Sequence, residues 1–320
     1  MTSLCLALAL AILGGCQSLA GRAPERLIET GSSAGRVLAI SPDSALIAVG
    51  SLDGSLRVWD LDTGVLRHFW RAHAGTVNGV LFLDPRRLIT AGYDGRIAVW
   101  TLSGTLLRGW AAGSPVTAFA AALPAGVMLT GHTDGQARLW SLDGGLVRAW
   151  QVHGGAVRAV AAMPDGSVLS SSGTDGQVKL WSPGTPPVAL PPPPNDAHTL
   201  VFAPSGDSLI GAGWFDLYRW DLTAATLRVL PTAHRGIINS VRFLPDGRLA
   251  SISRQTDSSV LILDPVTGAT LERLGRHALC GTAVAVSPGG RYLASISDDA
   301  TVRVWRLTVG PAGQGQSPAR

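Results

Sequence analysis

The sequence is poor in lysine, in cysteine and in charged residues generally. Lys179 is the only lysine, the three cysteines are Cys5, Cys16 and Cys280, and Asp, Glu, Lys and Arg together make up 15% of the chain. Two of the cysteines lie in an apolar stretch at the N-terminus. The rest of the chain therefore has no second cysteine with which to form an intramolecular disulfide.

Motifs that would indicate an enzyme or a cofactor protein are also missing. There is no Gly-x-Ser-x-Gly elbow, no phosphate-binding glycine loop and no Cys-x-x-Cys-His haem motif. The seven histidines form no metal-ligand cluster along the chain. The basic residues, which give a net charge of +4, recur periodically and do not form the clustered patch that nucleic-acid binding requires. We therefore predict no catalytic residues, no cofactor, no metal site and no nucleic-acid partner.

The chain does contain one short block seven times, at intervals of 39 to 43 residues. In most copies an Asp, usually followed by Gly, leads into an alternating segment that ends at Trp. The seven segments end at Trp59, Trp100, Trp140, Trp181, Trp220, Leu263 and Trp305. A repeat of this length that is made of short strands is typical of a β-propeller.

Residues 76–110 show how one repeat folds. Three apolar or alternating segments and a fourth segment that ends at Trp110 are separated by turns at 84–86, 93–95 and 101–104. Four antiparallel strands in about forty residues make one propeller blade, which must stack on its neighbours to bury both faces. We therefore predict an all-β, seven-bladed propeller of four-stranded antiparallel blades.

These residues resemble the WD-repeat (WD40) family. The resemblance rests on "LRVWDLDTG" at 56–64, "DGRIAVW" at 94–100, "DGQARLW" at 134–140, "DGQVKLW" at 175–181 and "DDATVRVW" at 298–305. It covers roughly residues 24–308 and implies a non-catalytic scaffold that binds protein partners. The alternatives are an enzyme or small-molecule binder that uses the propeller channel, although the inner strands offer mostly Val, Ala, Leu, Gly and Ser.

The resemblance also implies a structural hydrogen-bond set in each blade. Its members are a His at the blade entrance, a Ser or Thr on the second strand, an Asp in the next turn and a Trp on the third strand. Three sets are complete: His73, Thr90, Asp94 and Trp100; His153, Ser171, Asp175 and Trp181; and His277, Ser295, Asp299 and Trp305.

Other repeats depart from the pattern. Gly31 and Gly113 stand where the first and third repeats should have the His, and the sixth repeat keeps His234 and Asp257 but ends in Leu263. Residues 191–194 are four prolines, which predict an irregular edge of blade four or a polyproline segment offered to a partner. The last repeat supplies only three strands, so we predict that residues 25–30 complete it and close the ring.

The first sixteen residues lie outside the propeller. A short apolar run that ends in Leu13-Gly14-Gly15-Cys16 resembles a bacterial lipoprotein signal, in which the Cys is lipidated. We expect a signal peptide at 1–15, a tether at 16–23, the propeller at 24–308 and a disordered tail at 309–320. Gln17 favours the periplasmic face of the outer membrane over the inner. If the signal is false, the chain is a cytoplasmic WD-repeat scaffold.

Candidate binding residues lie where the repeat departs from its own pattern. Trp214 and Phe215 occupy the turn of the fifth repeat, and either fold inward to repair a defective blade or contact a partner. Tyr93 lies in the equivalent turn of the second repeat, and Arg235 and Arg276 flank entrance histidines. We expect these five residues on one rim of a monomeric propeller, because aromatic and Arg side chains are the usual interface anchors.

Overall fold

Twenty-eight β-strands form seven separate four-stranded sheets in the computed structural model, which describes residues 21–31 and 34–307. Every sheet is antiparallel. The all-β, seven-bladed propeller predicted from the repeat is confirmed.

The blades follow one another along the chain, each built from its innermost strand outward. The first strand, β1 (Arg26–Glu29), belongs to the last blade. Blade 1 consists of β2 (Gly35–Ile40), β3 (Leu46–Ser51), β4 (Ser55–Asp60) and β5 (Leu66–Arg71). Blade 2 consists of β6 (Val77–Asp84), β7 (Arg87–Gly92), β8 (Arg96–Thr101) and β9 (Leu106–Ala111). Blade 3 consists of β10 (Val116–Ala122), β11 (Val127–His132), β12 (Gln136–Ser141) and β13 (Leu146–Gln151), with a 3-10 helix at Leu123–Ala125.

The second half of the ring is less regular. Blade 4 consists of β14 (Val157–Ala162), β15 (Leu169–Gly173), β16 (Val178–Trp181) and β17 (Val188–Ala189). Blade 5 consists of β18 (Thr199–Phe202), β19 (Ser208–Ala212), β20 (Asp216–Asp221) and β21 (Thr226–Pro231). Blade 6 consists of β22 (Ile238–Phe243), β23 (Leu249–Ser253), β24 (Ser259–Leu263) and β25 (Thr270–Arg276). Blade 7 consists of β26 (Gly281–Val286), β27 (Tyr292–Ser297), β28 (Thr301–Arg306) and β1.

The hydrophobic core lies between blades. Ile47 and Val49 of blade 1 pack with Ala294 and Ile296 of blade 7, and all four side chains are fully buried. Tryptophan rings also pack between neighbouring blades nearer the outside of the ring. The rings of Trp70 and Trp100, from blades 1 and 2, have centroids 6.0 Å apart. Because each blade buries its faces only against its neighbours, the repeats stabilise one another and none is a core by itself.

The proline segment continues this packing where strand pairing stops. β17 has only two residues, and the chain after it runs along blade 5, where the Trp220 indole N–H donates to the Pro191 carbonyl at 2.8 Å. Pro191 thus lies at an irregular edge of blade 4, as one of the two interpretations of the proline run predicted.

The innermost strands carry a second repeating feature. In six blades a β-bulge inserts one extra residue near the start of this strand. Blade 5 lacks the bulge, but Thr199 pairs with Ala212 as Ser240 pairs with Ile252, so His198 corresponds to Asn239. We call the seven equivalent residues the inner-ring positions: Arg36, Asn78, Thr117, Arg158, His198, Asn239 and Thr282.

Four inner-ring side chains join their blade to the next one. The amides of Asn78 and Asn239 donate to the carbonyls of Val116 and Gly281 at 2.8 and 3.0 Å. The hydroxyls of Thr117 and Thr282 donate in the same way at 2.7 and 2.9 Å, to Val157 and Gly35. Within residues 21–31 and 34–307, neither Arg36 nor Arg158 makes this bond.

The N-terminal strand closes the ring. β1 pairs with β28 along its whole length, from Arg26 opposite Val304 to Glu29 opposite Thr301, as the sequence predicted. Just before β1, the Arg22 N–H donates to the Arg273 carbonyl of blade 6 at 3.1 Å, and the Arg22 guanidinium lies 3.1 Å from Glu272. Arg22, assigned by sequence to the tether, therefore lies across the seam of blades 6 and 7. The predicted signal peptide, Cys16, residues 17–20 and the predicted tail lie outside the described residues.

Candidate functional site

The hydrogen-bond set of blade 2 contains all four residues that the sequence assigned to it. Trp100 donates its indole N–H to the Thr90 hydroxyl at 2.9 Å, and that hydroxyl lies 2.8 Å from His73 Nε2. His73 Nδ1 lies 2.9 Å from Asp94, whose second oxygen accepts the backbone N–H of Ala74. The chain of bonds ties the second and third strands of the blade to its entrance loop and to its turn.

The sets of blades 4 and 7 contain three of their four assigned residues. His153 lies 2.9 Å from both Asp175 and Ser171, and His277 lies 3.1 Å from Asp299 and 2.7 Å from Ser295. The tryptophans differ. Trp305 donates to the Arg22 carbonyl instead, because the N-terminal segment passes over its indole, and the buried Trp181 Nε1 has no partner within the described residues.

Blade 6 contains the same arrangement without a tryptophan. His234 lies 2.9 Å from Asp257 and 2.8 Å from the Ser251 hydroxyl, while Leu263 fills the place of the indole. Burial alone would raise the pKa of Asp257, but hydrogen bonds from His234 and from Ser259 hold it far below its usual range.

Blade 3 replaces the missing entrance histidine with one that sequence reasoning overlooked. His132, at the end of β11, lies 2.7 Å from the Thr130 hydroxyl, which also accepts the indole N–H of Trp140 at 2.8 Å. Its other nitrogen donates to the Ser114 carbonyl at 3.0 Å, in place of an Asp. The sequence did contain a signal for this histidine, since it lies two residues after the Thr of the second strand. Its side chain points back into the blade.

Burial determines the protonation of these histidines. It lowers the pKa of His73, His153, His234 and His277, the last to about 4, although the neighbouring aspartates oppose the change. The imidazoles are therefore neutral at pH 7. Each donates its Nδ1 proton to the carboxylate and accepts a hydroxyl proton at Nε2, so both ring nitrogens of each imidazole have a partner.

The Ser–His–Asp contacts resemble a catalytic triad in their distances but not in their accessibility. Ser171, Ser251 and Ser295 are fully buried, and so are the imidazoles that contact them. A nucleophile must reach its substrate, and these hydroxyls lie between strands of one sheet. The sets hold the blades together. Across the residues that the structure describes, no group of three His, Cys, Asp or Glu side chains could hold a metal ion.

The two aromatic residues of the blade 5 turn are exposed. Trp214 is 39% and Phe215 45% exposed, and their rings contact each other edge to face with centroids 5.7 Å apart. The turn leans on the entrance loop of blade 6, where Trp214 pairs with Ile237 and the Phe215 N–H donates to Gly236. The blade does not fold these rings into its core.

Phe215 also adopts a left-handed backbone conformation, with φ at 67°. This region suits glycine and asparagine and costs other residues of order 1–3 kcal/mol. An exposed aromatic ring at a strained position is stabilised neither by burial nor by its backbone.

An arginine-lined cleft opens beside the aromatic pair. It has a volume of about 580 Å³ and is lined by Arg235, Arg273 and Arg276 together with His234 and Asp257. Arg235 and Arg276 are exposed, whereas Arg273 donates to the Ser259 hydroxyl at 2.8 Å. We call Trp214, Phe215, Arg235 and Arg276 the rim patch.

Tyr93 does not belong to this patch. It lies 51% exposed in the turn of blade 2, and blades 3 and 4 separate it from blade 5. The structure thus brings together four of the five rim residues that the sequence proposed. The sequence alone cannot show which of these residues are neighbours. Equivalent turns of different blades lie on the same rim, but they lie at different places around the ring.

The inner edge of the ring carries charged residues that sequence reasoning also missed. Arg36 and Arg158 occupy inner-ring positions in blades 1 and 4, and Arg242 lies farther along β22. The inner strands consist mostly of Val, Ala, Leu, Gly and Ser, as the sequence indicated, and these three positions are the charged exceptions within β2, β14 and β22. The signal was a change of residue type at the bulge, which becomes visible only once the strands are aligned by register.

The outer strands of the first three blades expose apolar residues at equivalent positions, next to arginines. Blade 1 exposes Leu66, blade 2 exposes the pair Leu106 and Leu107, and blade 3 exposes the pair Leu146 and Val147. None of the helices in the described part of the chain is long and apolar enough to span a membrane.

Comparison with known proteins finds a family model and several relatives to which this chain is similar. The model of the family described as "WD domain, G-beta repeat" matches residues 26–60, 64–101, 144–182 and 271–306. Ribosome biogenesis protein ytm1 of Aspergillus clavatus is 27% identical over 290 residues, which cover 84% of this chain and 57% of that protein. Striatin-4 of Mus musculus is 25% identical over 305 residues, which cover 85% of this chain and 35% of that protein. The chain thus spans about a third to just over half of the length of these relatives.

Proposed function

Because the chain carries WD40 repeats in a closed seven-bladed propeller, we propose that it is a non-catalytic scaffold that binds protein partners. We further propose that it does so at a bacterial membrane, held by a lipid on Cys16 and facing the periplasm. The rim patch is the partner-binding surface.

The exposed pair of Trp214 and Phe215 is the observation that supports this function best. Each large apolar side chain that stays in water forgoes roughly 1.5–3 kcal/mol of the free energy that burial would provide. Exposed aromatic residues beside arginines, grouped around a cleft, have the composition of interface anchors. Binding a partner would bury the two rings and satisfy the guanidinium groups of Arg235 and Arg276.

The double substitution Trp214→Thr with Phe215→Ser tests the binding surface. We expect loss of the species crosslinked to the protein in membranes, with a melting temperature within a few degrees of the wild type, because the rings lie outside the core. Tyr93→Thr is the matched control, since it removes an exposed aromatic residue from the same rim on another side of the ring.

Three results would count against the rim patch. Unchanged crosslinking by the double variant would show that the partner binds elsewhere. A large fall in melting temperature would show that the aromatic rings stabilise blade 5. Loss of crosslinking by Tyr93→Thr alone would move the proposed surface to blade 2.

Membrane attachment is supported by the sequence Leu13-Gly14-Gly15-Cys16 and by the position of the chain that follows it. Arg22 lies on the outer seam of blades 6 and 7, and the six residues from Cys16 to Gly21 extend at most about 22 Å. A lipid on Cys16 would therefore hold the propeller by its circumference. The exposed apolar residues of the outer strands, with their neighbouring arginines, suit an anionic lipid surface.

Cys16→Ala tests the anchor. We expect the protein to leave the membrane fraction, or to remain uncleaved, and to lose labelling by radioactive fatty acid. Cys5→Ala is the control and should label as the wild type does. Wild-type labelling and partition of Cys16→Ala would refute lipidation at that residue.

A further inference from the structure

The mouth of the central channel carries arginines, and these differ in the partners they have. At inner-ring positions, Asn and Thr donate to the next blade, but Arg36 makes no side-chain hydrogen bond and no ion pair within residues 21–31 and 34–307. Arg158 lies 2.9 Å from Asp196 instead. An Arg at this position gives up a bond between blades, so packing of the ring does not explain it.

A third arginine reaches the same place from blade 6. Arg254 lies in the turn after β23, where its backbone N–H donates to Ile237, and its buried Nε has no hydrogen-bond partner within the described residues. Burial lowers the pKa of Arg36, and the nearby charge of Arg254 lowers it further. Arg254 also lowers the pKa of His198, after burial and Arg158. Side chains from blades 1, 4, 5 and 6 thus influence one another across the mouth.

A fourth arginine lies deeper in the channel. Arg242 lies on β22, the innermost strand of blade 6, and is open to solvent, so its side chain faces the channel. Burial by the surrounding protein lowers its pKa. Within the described residues its side chain makes one hydrogen bond, to the neighbouring Val241 carbonyl at 2.8 Å, which leaves most of its five N–H donors without an acceptor there.

Among the seven equivalent positions that register defines in the described strands, Arg242 is the only charged residue. The other six positions hold small or apolar residues: Ala39, Leu81, Ala120, Ala161, Val201 and Ala285. Arg242 follows the inner-ring residue Asn239 by three residues, which is about 10 Å along a strand. The inner strands therefore place arginines at two levels of the channel about 10 Å apart.

We propose that the channel binds an extended acidic peptide segment of a partner protein, with carboxylates held by Arg242 inside the channel and by Arg36 and Arg254 at its mouth. This deepens the proposed function, on which it rests, because the mouth opens on the rim that carries the rim patch. Guanidinium groups form paired hydrogen bonds with carboxylates.

The two-level arrangement favours a peptide over a small anion. A single phosphate cannot contact both levels, whereas carboxylates three residues apart on an extended chain are separated by the required distance of about 10 Å. Four of the six residues level with Arg242 are alanines, whose side chains take up little of the channel. The negative charge of Asp298, which raises the pKa of Arg36, opposes anion binding at the mouth. Removal of that charge should therefore strengthen anion binding.

Calorimetric titration of the purified full-length chain with hexaglutamate tests the proposal, with hexaglutamine and inorganic phosphate as comparison ligands. We expect hexaglutamate to bind, and Arg242→Gln and Arg36→Gln each to weaken it about tenfold or more. Arg242→Lys should retain part of the affinity, and Asp298→Asn should increase it. Arg228→Gln is the matched control, because it removes one exposed arginine from an outer strand.

Each possible outcome supports or overturns the proposal. Absence of hexaglutamate binding overturns it, and so does equal weakening by Arg228→Gln, which would indicate attraction by net charge alone. Phosphate that binds as tightly as hexaglutamate would identify a free anion as the ligand. The Trp214→Thr/Phe215→Ser variant should bind hexaglutamate normally, so a failed channel and a failed rim patch give different results. If Arg242→Gln does not fold, Arg36→Gln and Asp298→Asn decide.

Discussion

At the scale of single residues, the aspartates of the hydrogen-bond sets stabilise the fold rather than catalyse a reaction. Asp94 accepts three bonds, from His73, from the backbone of Ala74 and from the backbone of Arg96. Asp94→Ala removes all of them and leaves a buried imidazole N–H without an acceptor. We expect a loss of about 1–3 kcal/mol of unfolding free energy, measured by chemical denaturation.

Asp165→Ala is the control for that prediction. Asp165 lies in an exposed turn on the opposite rim and accepts bonds only from Ser167. Its replacement should change stability by less than about 0.5 kcal/mol. Equal effects of the two substitutions would mean that the buried set contributes nothing beyond an ordinary turn.

The repeat predicted the members of these sets but not all of their bonds. A pattern in the sequence aligns each residue with its counterparts, and this placed His73, Thr90, Asp94 and Trp100 correctly in one chain of bonds. It could not show that the indole of Trp305 would find a closer acceptor in a segment more than 280 residues away. It also missed His132, because that residue reaches the same hydroxyl from a position the family pattern does not use.

At the scale of elements, β1 is a full member of blade 7. Ile28 is 3% exposed and belongs to the core between blades 7 and 1, whereas its neighbour Leu27 is 55% exposed. Ile28→Ala should cost about 2–5 kcal/mol, and Leu27→Ala less than about 0.5 kcal/mol. Denaturation midpoints measure both. An Ile28→Ala variant as stable as the wild type would show that β1 only covers an edge that the blade can leave open.

The four-stranded blade was predictable from the sequence because alternation and turn residues specify it locally. The irregular elements were not, since their form depends on contacts from other blades. β17 shrinks to two residues where prolines remove backbone donors, and Trp220 then takes a proline carbonyl as its acceptor. The position of the inner-strand arginines could not be predicted for the same reason. A bulge aligns Arg36 with Arg158, although their blades are far apart in sequence.

At the scale of the whole molecule, the buried histidines make stability depend on pH. Burial lowers the pKa of His73, His153 and His234 below 6.5, and that of His132 and His277 to about 4. Between pH 6.5 and about 4 the unfolded chain therefore binds protons that the folded chain does not. The contribution of these neutral histidines to the free energy of unfolding should be complete above pH 6.5 and should fall as the pH decreases through this range.

Thermal melts at pH 5 and pH 7.5 measure this effect. We expect a melting temperature several degrees lower at pH 5, and little change from pH 7 to 8. His277→Gln should melt earlier than the wild type but show a shallower pH slope, because one of the strongly shifted groups is gone. A melting temperature that is equal or higher at pH 5 would contradict the neutral state assigned to the imidazoles.

The pairing of β1 with β28 also has a consequence in time. The hydrogen bond from Thr30 to Ala300 joins residues that are 270 positions apart. At roughly 5–20 residues per second, a ribosome needs about 15–55 s to make the intervening chain. Among the described strands, β1 is thus the first to be synthesised and the last to find its partner. Its sequence, Arg-Leu-Ile-Glu, places a charge at each end of two apolar residues, and such charges discourage pairing with other chains during the wait.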